Sequence, residues 1–150
     1  MMVKKLILVR HADYENAGDD PGLSWIGEDQ SKYLGINIAK ELKDLGSVII
    51  WSSTSKRASE TAQIIKQEQQ FAKVFELEKL WSDNWHKYDF EWLKEEIGKF
   101  EGEVLVIVSH LEYVREFPKF IGFNYNHSAY AEGVVITGEE IKSISHSIHN

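Results

Sequence analysis

Apolar residues fall into two spacings along this chain. Leu6-Ile7-Leu8-Val9, Ser47 to Trp51 and Glu103 to Val108 carry consecutive apolar runs rich in β-branched residues. Such runs read as strands buried on both faces, as in the interior of a parallel sheet. Between them the apolar positions return at helical spacing: Leu34, Ile38, Leu42 and Leu45, then Ala58, Ala62 and Ile65, then Phe90, Leu93, Ile97 and Phe100, then Val114, Phe117, Phe120 and Ile121. Ser24 is placed to cap the first of these helices and Gly46 to stop it. Pro118 lacks an N–H and is expected to kink or shorten the last. Phe71 to Leu77 predicts a short third strand. The tail predicts two more, Val134 to Ile136 and Ile141 to Ile148, joined through Thr137-Gly138-Glu139-Glu140. Alternation in the final strand is imperfect, which suits a sheet edge. Strand–helix alternation along the chain gives an α/β fold: three layers, a mainly parallel sheet with helices on both faces. No repeat or low-complexity segment divides it, so residues 1–150 read as a single domain.

Two stretches break the pattern. Asp13 to Leu23 is loop-like, with Asn16, Gly18, Asp19, Asp20, Pro21 and Gly22 close together. Glu78 to Asp89 interleaves Trp81, Trp85, His86 and Tyr88 with carboxylates. The second stretch suits either the rim of a pocket or a satellite cluster that packs the loop down.

Composition removes several functions. The 150 residues carry a formal charge of −7, which argues against nucleic acid as a partner because phosphate-backbone binding needs a basic footprint. A small phosphorylated ligand stays open, since a few local cations suffice. With no cysteine, disulfides, thiolate metal sites and a cysteine nucleophile are excluded. The Met1 to Lys5 start has the positive flank of a signal peptide, but the apolar run after it is short and interrupted by Arg10 and Asp13. No stretch has the length of a membrane span, so a cytoplasmic protein is expected.

Candidate chemistry sits at the strand ends. The first strand runs into Arg10-His11-Ala12, the second into Ser52-Ser53-Thr54-Ser55-Lys56-Arg57, and the third long run into Ser109-His110. In a parallel sheet these carboxyl ends share one edge, where α/β folds bind ligands. Two guanidiniums and two imidazoles would converge there. The set suits a phosphoryl group: arginines hold its oxygens, one imidazole attacks phosphorus, and the other donates a hydrogen bond that strengthens as charge builds.

On these residues the chain resembles the histidine phosphatase superfamily, the phosphoglycerate mutase-like proteins. Arg10-His11-Ala12 is similar to the family's nucleophile motif. Ser52-Ser53-x-x-x-Arg57-Ala58-x-x-Thr61-Ala62 is similar to its second motif. Ser109-His110-Leu111-x-x-x-Arg115 resembles its third, with leucine where the family has glycine. Leu23-Ser24-x-x-Gly27-x-x-Gln30 resembles its helix opening. The resemblance implies a phosphoglycerate mutase-like fold, with His11 as the nucleophile that forms a phosphohistidine. It also implies that Arg10, Arg57 and His110 hold the phosphoryl oxygens, with no metal and no cofactor. Water would then attack the phosphohistidine, which requires an unprotonated nitrogen on His11. His86, His127, His146 and His149 match no motif and read as surface residues.

The family's general acid falls after the third strand. Glu78 is ranked first for it, with Asp83 and Asp13 as alternatives; Asn16 lies one position early for the family's asparagine. The expected function is a small metal-independent phosphatase, close to the phosphohistidine phosphatases of the family. Its substrate would be a phosphorylated small molecule or a phosphoprotein. The alternatives are a phosphate- or phosphopeptide-binding module without turnover, and a phosphoglycerate-type mutase, which the shortness of the chain disfavours. A metal site built on His11-x-Asp13 finds no partner pair at ligand spacing.

Overall fold

Leu6, Ile7, Leu8 and Val9 are all fully buried, and the strand they form lies in the middle of a six-stranded sheet. The computed structural model describes residues 3–43, 45–126 and 129–147. In chain order the elements are β1 (Lys5–Arg10), α1 (Trp25–Glu41), β2 (Val48–Ser52), α2 (Lys56–Gln67), β3 (Ala72–Glu76), a single 3-10 turn (Glu78–Leu80), α3 (Phe90–Lys99), β4 (Val104–Ser109), α4 (Leu111–Phe120), β5 (Gly133–Thr137) and β6 (Glu140–Ile144). The sheet order is β3-β2-β4-β1-β5-β6. The first four of these strands run parallel, and β5 and β6 add an antiparallel hairpin beside β1.

Consecutive strand residues point to opposite faces, so each buried run feeds two cores. Ile7, Val9, Val106 and Val108 face α1 and α2, where Leu34, Ile38, Ala58, Ala62 and Ile65 meet them. Leu6, Leu8, Leu105 and Ile107 face α3 and α4, against Leu93, Ile97, Tyr113, Val114 and Phe117. This is the expected three-layer arrangement. It also explains why three central strands read as unbroken apolar runs.

The boundaries differ from expectation where local chemistry ends an element early. α1 stops at Glu41 with Leu42 as its cap, so Leu45 belongs to the connection and not to the helix. Leu45 still packs against the core, which is why its spacing looks helical. Pro118 lies in the last turn of α4, which ends two residues later at Phe120. β6 ends at Ile144, and the chain beyond it is held by Asn37 Nδ2 donating to the carbonyls of Ser145 and Ser147, both at 2.8 Å. The expected strand end at Ile148 lies outside the described residues. β6 is an edge strand, as its broken alternation implied. No helix among the described residues is long and apolar enough to cross a membrane.

Candidate active site

The register of the sheet assembles the site. β1 pairs with β4 so that Arg10 faces Ser109, and the next residues, His11 and His110, leave the sheet together. Their rings lie 5.1 Å apart, edge to face. Ser52 of β2 pairs with Val108, which brings Ser53, Ser55 and Arg57 to the same edge. His11, Arg57 and His110 are all buried, at 3%, 9% and 2% exposure, although each is a polar group that normally stays wet.

Each burial is compensated by specific partners. His11 Nδ1 lies 2.9 Å from the carbonyl of Ala12, an oxygen that can only accept, so Nδ1 carries the proton. Nε2 therefore keeps its lone pair, and it accepts from Arg57 Nε at 3.2 Å. The same guanidinium reaches His110 Nδ1 from Nη2 at 3.4 Å, so Arg57 bridges the two imidazoles. His110 Nε2 lies 2.8 Å from Ser53 Oγ and 3.3 Å from Ser55 Oγ. Burial, reinforced by Arg57 and Arg10 beyond what the Ala12 carbonyl offsets, lowers His11 to a pKa of about 3. Burial, together with the neighbouring His11 and Arg57, lowers His110 to about 2. Both rings are thus neutral at pH 7.

Motif residues that do not line the cleft hold this frame. The Ala12 N–H donates to Thr61 Oγ1 at 3.1 Å, and that hydroxyl donates to the Arg57 carbonyl, locking the loop after His11 to α2. Ser24 caps α1 by accepting from the Gly27 N–H and donates its own hydroxyl to Asp13 Oδ2. Gln30 Oε1 accepts from the Asp13 N–H at 2.9 Å. Gly27 is needed because a Cβ there would overlap the Asp13 carbonyl.

A cleft of about 200 Å³ opens over these groups. Besides Arg10, His11, Arg57 and His110 it is lined by Tyr14, Ser82, Asp83, Asn84, Leu111 and Glu112. The segment after β3 forms its far wall. Ser109 Oγ and Tyr113 OH donate to the carbonyls of Leu80 and Lys79 and pin that segment, while Ser82 Oγ donates to Glu112 Oε1 at 2.7 Å. The segment is therefore both packed down and part of the rim.

The three candidate acids part company here. Glu78 is exposed at the start of the 3-10 turn and does not line the cleft. Asp13 is engaged with Ser24 and does not line it either. Asp83 does. Partial burial would raise its pKa, but donors from the His86 ring, the Trp85 and His86 amides and the Trp81 indole outweigh that and bring it to about 2.

His86 is not the surface residue its lack of a motif suggested. It is half-buried, stacked on Trp81 at 4.3 Å, and Trp81 in turn lies parallel to His110 at 6.2 Å. His146 is half-buried too, with Nδ1 3.4 Å from the Ala131 carbonyl. His127 and His149 lie outside the described residues. Asn16 is exposed, and Arg115 pairs with Glu116 away from the cleft. Leu111 does line it.

Sequence reading missed Tyr14, Tyr130 and Glu112. Tyr14 follows the nucleophile motif by two residues and Glu112 sits inside the third motif, so proximity alone could have flagged both. Tyr130 carries no such signal. Among the described residues no group of three or more histidine, aspartate or glutamate side chains is arranged to hold a metal.

Comparison with known proteins identifies the family and the fold. The family model for the histidine phosphatase superfamily (branch 1) matches residues 6–104. No curated protein sequence matches the chain. Among solved structures, the protein histidine phosphatase SixA complexed with tungstate superposes with a TM-score of 0.79 at 18% identity, covering 95% of this chain and 97% of that one. A phosphoglycerate mutase from Plasmodium falciparum gives 0.61 at 18%, covering 97% and 94%. A mycobacterial glucosyl-3-phosphoglycerate phosphatase with inorganic phosphate gives 0.63 at 12%, covering 95% of each chain. At these identities the likeness is one of fold.

Proposed function

Because the chain belongs to the histidine phosphatase superfamily, branch 1, we propose that it is a metal-independent phosphatase that works through a phosphohistidine on His11. The observation that carries this reading is the tautomer of His11: Nδ1–H is spent on the Ala12 carbonyl, and the unprotonated Nε2 lies beside Arg57. A buried imidazole held neutral, with its lone pair beside fixed guanidinium donors, is a nucleophile poised for phosphorus.

The chemistry follows from the contacts. Charged phosphoryl oxygens are better acceptors for a guanidinium N–H than a neutral ring nitrogen is. Substrate arrival therefore draws Arg57 off Nε2 and uncovers the lone pair. Nε2 forms the N–P bond while the bond from phosphorus to the leaving group breaks, and the leaving atom takes that electron pair and a proton from water. Arg10 and Arg57 hold the equatorial oxygens. Once Arg57 leaves Nδ1 of His110, the ring proton moves from Nε2 to Nδ1 as the Ser53 hydroxyl turns to donate to Nε2, and the Nδ1–H donates to one of those oxygens; a hydroxyl can serve either way. Water then attacks phosphorus, the N–P electrons return to Nε2, and phosphate leaves with the remaining proton shared into solvent.

The leaving group is suggested by the acids. Of the three carboxyls considered, only Asp83 borders the cleft, and it is held ionised. An ionised Asp83 has no proton to donate, which favours leaving groups that need little help, namely phosphoramidates such as phosphohistidine, and aryl esters. The fold likeness to SixA supports the same choice.

Purified protein is expected to hydrolyse an activated aryl phosphate and a phosphohistidine protein in the presence of chelator, and His11→Ala to abolish both. Turnover retained in that variant overturns the nucleophile assignment. Phosphate binding without any turnover would identify a binding module. Transfer of the phosphoryl group to a second hydroxyl of the substrate, instead of to water, would identify a mutase.

A further inference from the structure

Two tyrosines outside every motif enclose the phosphoryl-binding groups. The Arg10 guanidinium lies over the face of Tyr130, 4.2 Å from the ring centroid, and that of Arg57 over the face of Tyr14 at 4.9 Å. The two rings meet edge to face at 5.9 Å. Both also flank His11, at 5.3 Å for Tyr14 and 5.8 Å for Tyr130.

The backbone is arranged to hold them there. Tyr14 pairs with Leu23 across the loop after β1. Tyr130 precedes Ala131, a fully buried non-glycine residue with a φ of 52°, in the left-handed region that L side chains avoid. The Ala131 N–H donates to the His11 carbonyl at 3.2 Å, so this strained turn is fastened to the nucleophile itself. Strain of this kind persists where surrounding structure imposes it, and it clusters at functional sites.

We propose that Tyr14 and Tyr130 are positioning residues whose ring faces hold Arg57 and Arg10 side-on, so that both guanidinium edges present their N–H donors to a phosphoryl group. The assignment rests on the reading of the cleft as a phosphoryl site. A guanidinium is flat, with all its donors in its plane. A ring against one face fixes that plane and removes water from it without consuming a donor. Ordering the donors before the ligand arrives saves that cost on binding.

The test is calorimetric titration of the full chain with inorganic phosphate, together with kinetics on an aryl phosphate and thermal unfolding, for Tyr14→Leu, Tyr130→Leu, Tyr14→Phe and Tyr130→Phe. Each leucine variant is expected to weaken phosphate by about threefold to thirtyfold and to raise KM in parallel, while each phenylalanine variant stays within about twofold because the ring remains. Unchanged affinity in the leucine variants overturns the proposal. Equal loss in the phenylalanine variants also overturns it, since the hydroxyls would then be responsible. Should a leucine variant fail to fold, ring-fluorinated phenylalanines at the same position decide: a stepwise fall in phosphate affinity supports the proposal and a flat series overturns it. Loss of affinity in a protein that turns over no substrate would remove the phosphatase reading and leave this assignment in place.

Discussion

At the scale of single residues, the guanidinium of Arg57 does what no other side chain could, because its planar fork reaches two imidazoles at once. Arg57→Lys keeps the charge but supplies one point donor, and turnover is expected to fall about a hundredfold, the cost of losing one preorganised donor to a developing oxyanion. Ser53→Ala removes the 2.8 Å partner of His110 and leaves Ser55 at 3.3 Å. An activity loss of about fivefold is expected, the net value of one hydrogen bond. The depressed pKa values of about 3 for His11 and about 2 for His110 also have a direct spectroscopic consequence. Their ring proton resonances should stay constant from pH 8 to pH 5, a range in which an ordinary histidine titrates. A midpoint near pH 6.5 for either ring would contradict its burial.

At the scale of elements, the opening of α1 controls the loop that follows His11. Ser24, Gly27 and Gln30, the cap and first two turns of the helix, each meet Asp13. Gly27→Ala drives a methyl group into the Asp13 carbonyl and is expected to cost about 1–3 kcal/mol, as overpacking does in a well-filled interior. Denaturant titration measures that cost. Activity of the folded fraction should fall as well, because Asp13 and His11 share one short segment. This is how the motif that opens a core helix belongs to the site. The far wall behaves differently. Its anchors, Ser109 on β4 and Tyr113 on α4, lie far along the chain from the Leu80 and Lys79 carbonyls they hold, and meet them only when those elements stand beside the segment.

At the scale of the whole molecule, two buried neutral histidines link folding to pH. In the unfolded chain each titrates near pH 6.5, and in the folded protein well below it, so between those values the unfolded state binds more protons. Stability is therefore full above about pH 6.5 and is lost as pH falls, by up to about 1.4 kcal/mol per pH unit for each ring. Urea unfolding at pH 7, 6 and 5 should show that slope, and it should be smaller in His110→Gln. Much of this protein was legible in one dimension. Unbroken apolar runs at Leu6 to Val9 and Val104 to Val108 can be satisfied only inside a sheet covered on both faces, and Arg10, His11, Arg57 and His110 were visible because parallel strands put their carboxyl ends on one edge. Spacing carried that much because strand and helix periods are local properties of the chain. Which carboxyl borders the cleft was not legible: Glu78 and Asp83 are five residues apart in one irregular segment, and only the packing of that segment against Ser109 and Tyr113 turns one toward the cleft and leaves the other in solvent. Tyr130 was invisible for the same reason. Its place over Arg10 is set by a strained turn at Ala131, a hairpin and a neighbouring strand, contacts that exist only after the sheet has closed around His11.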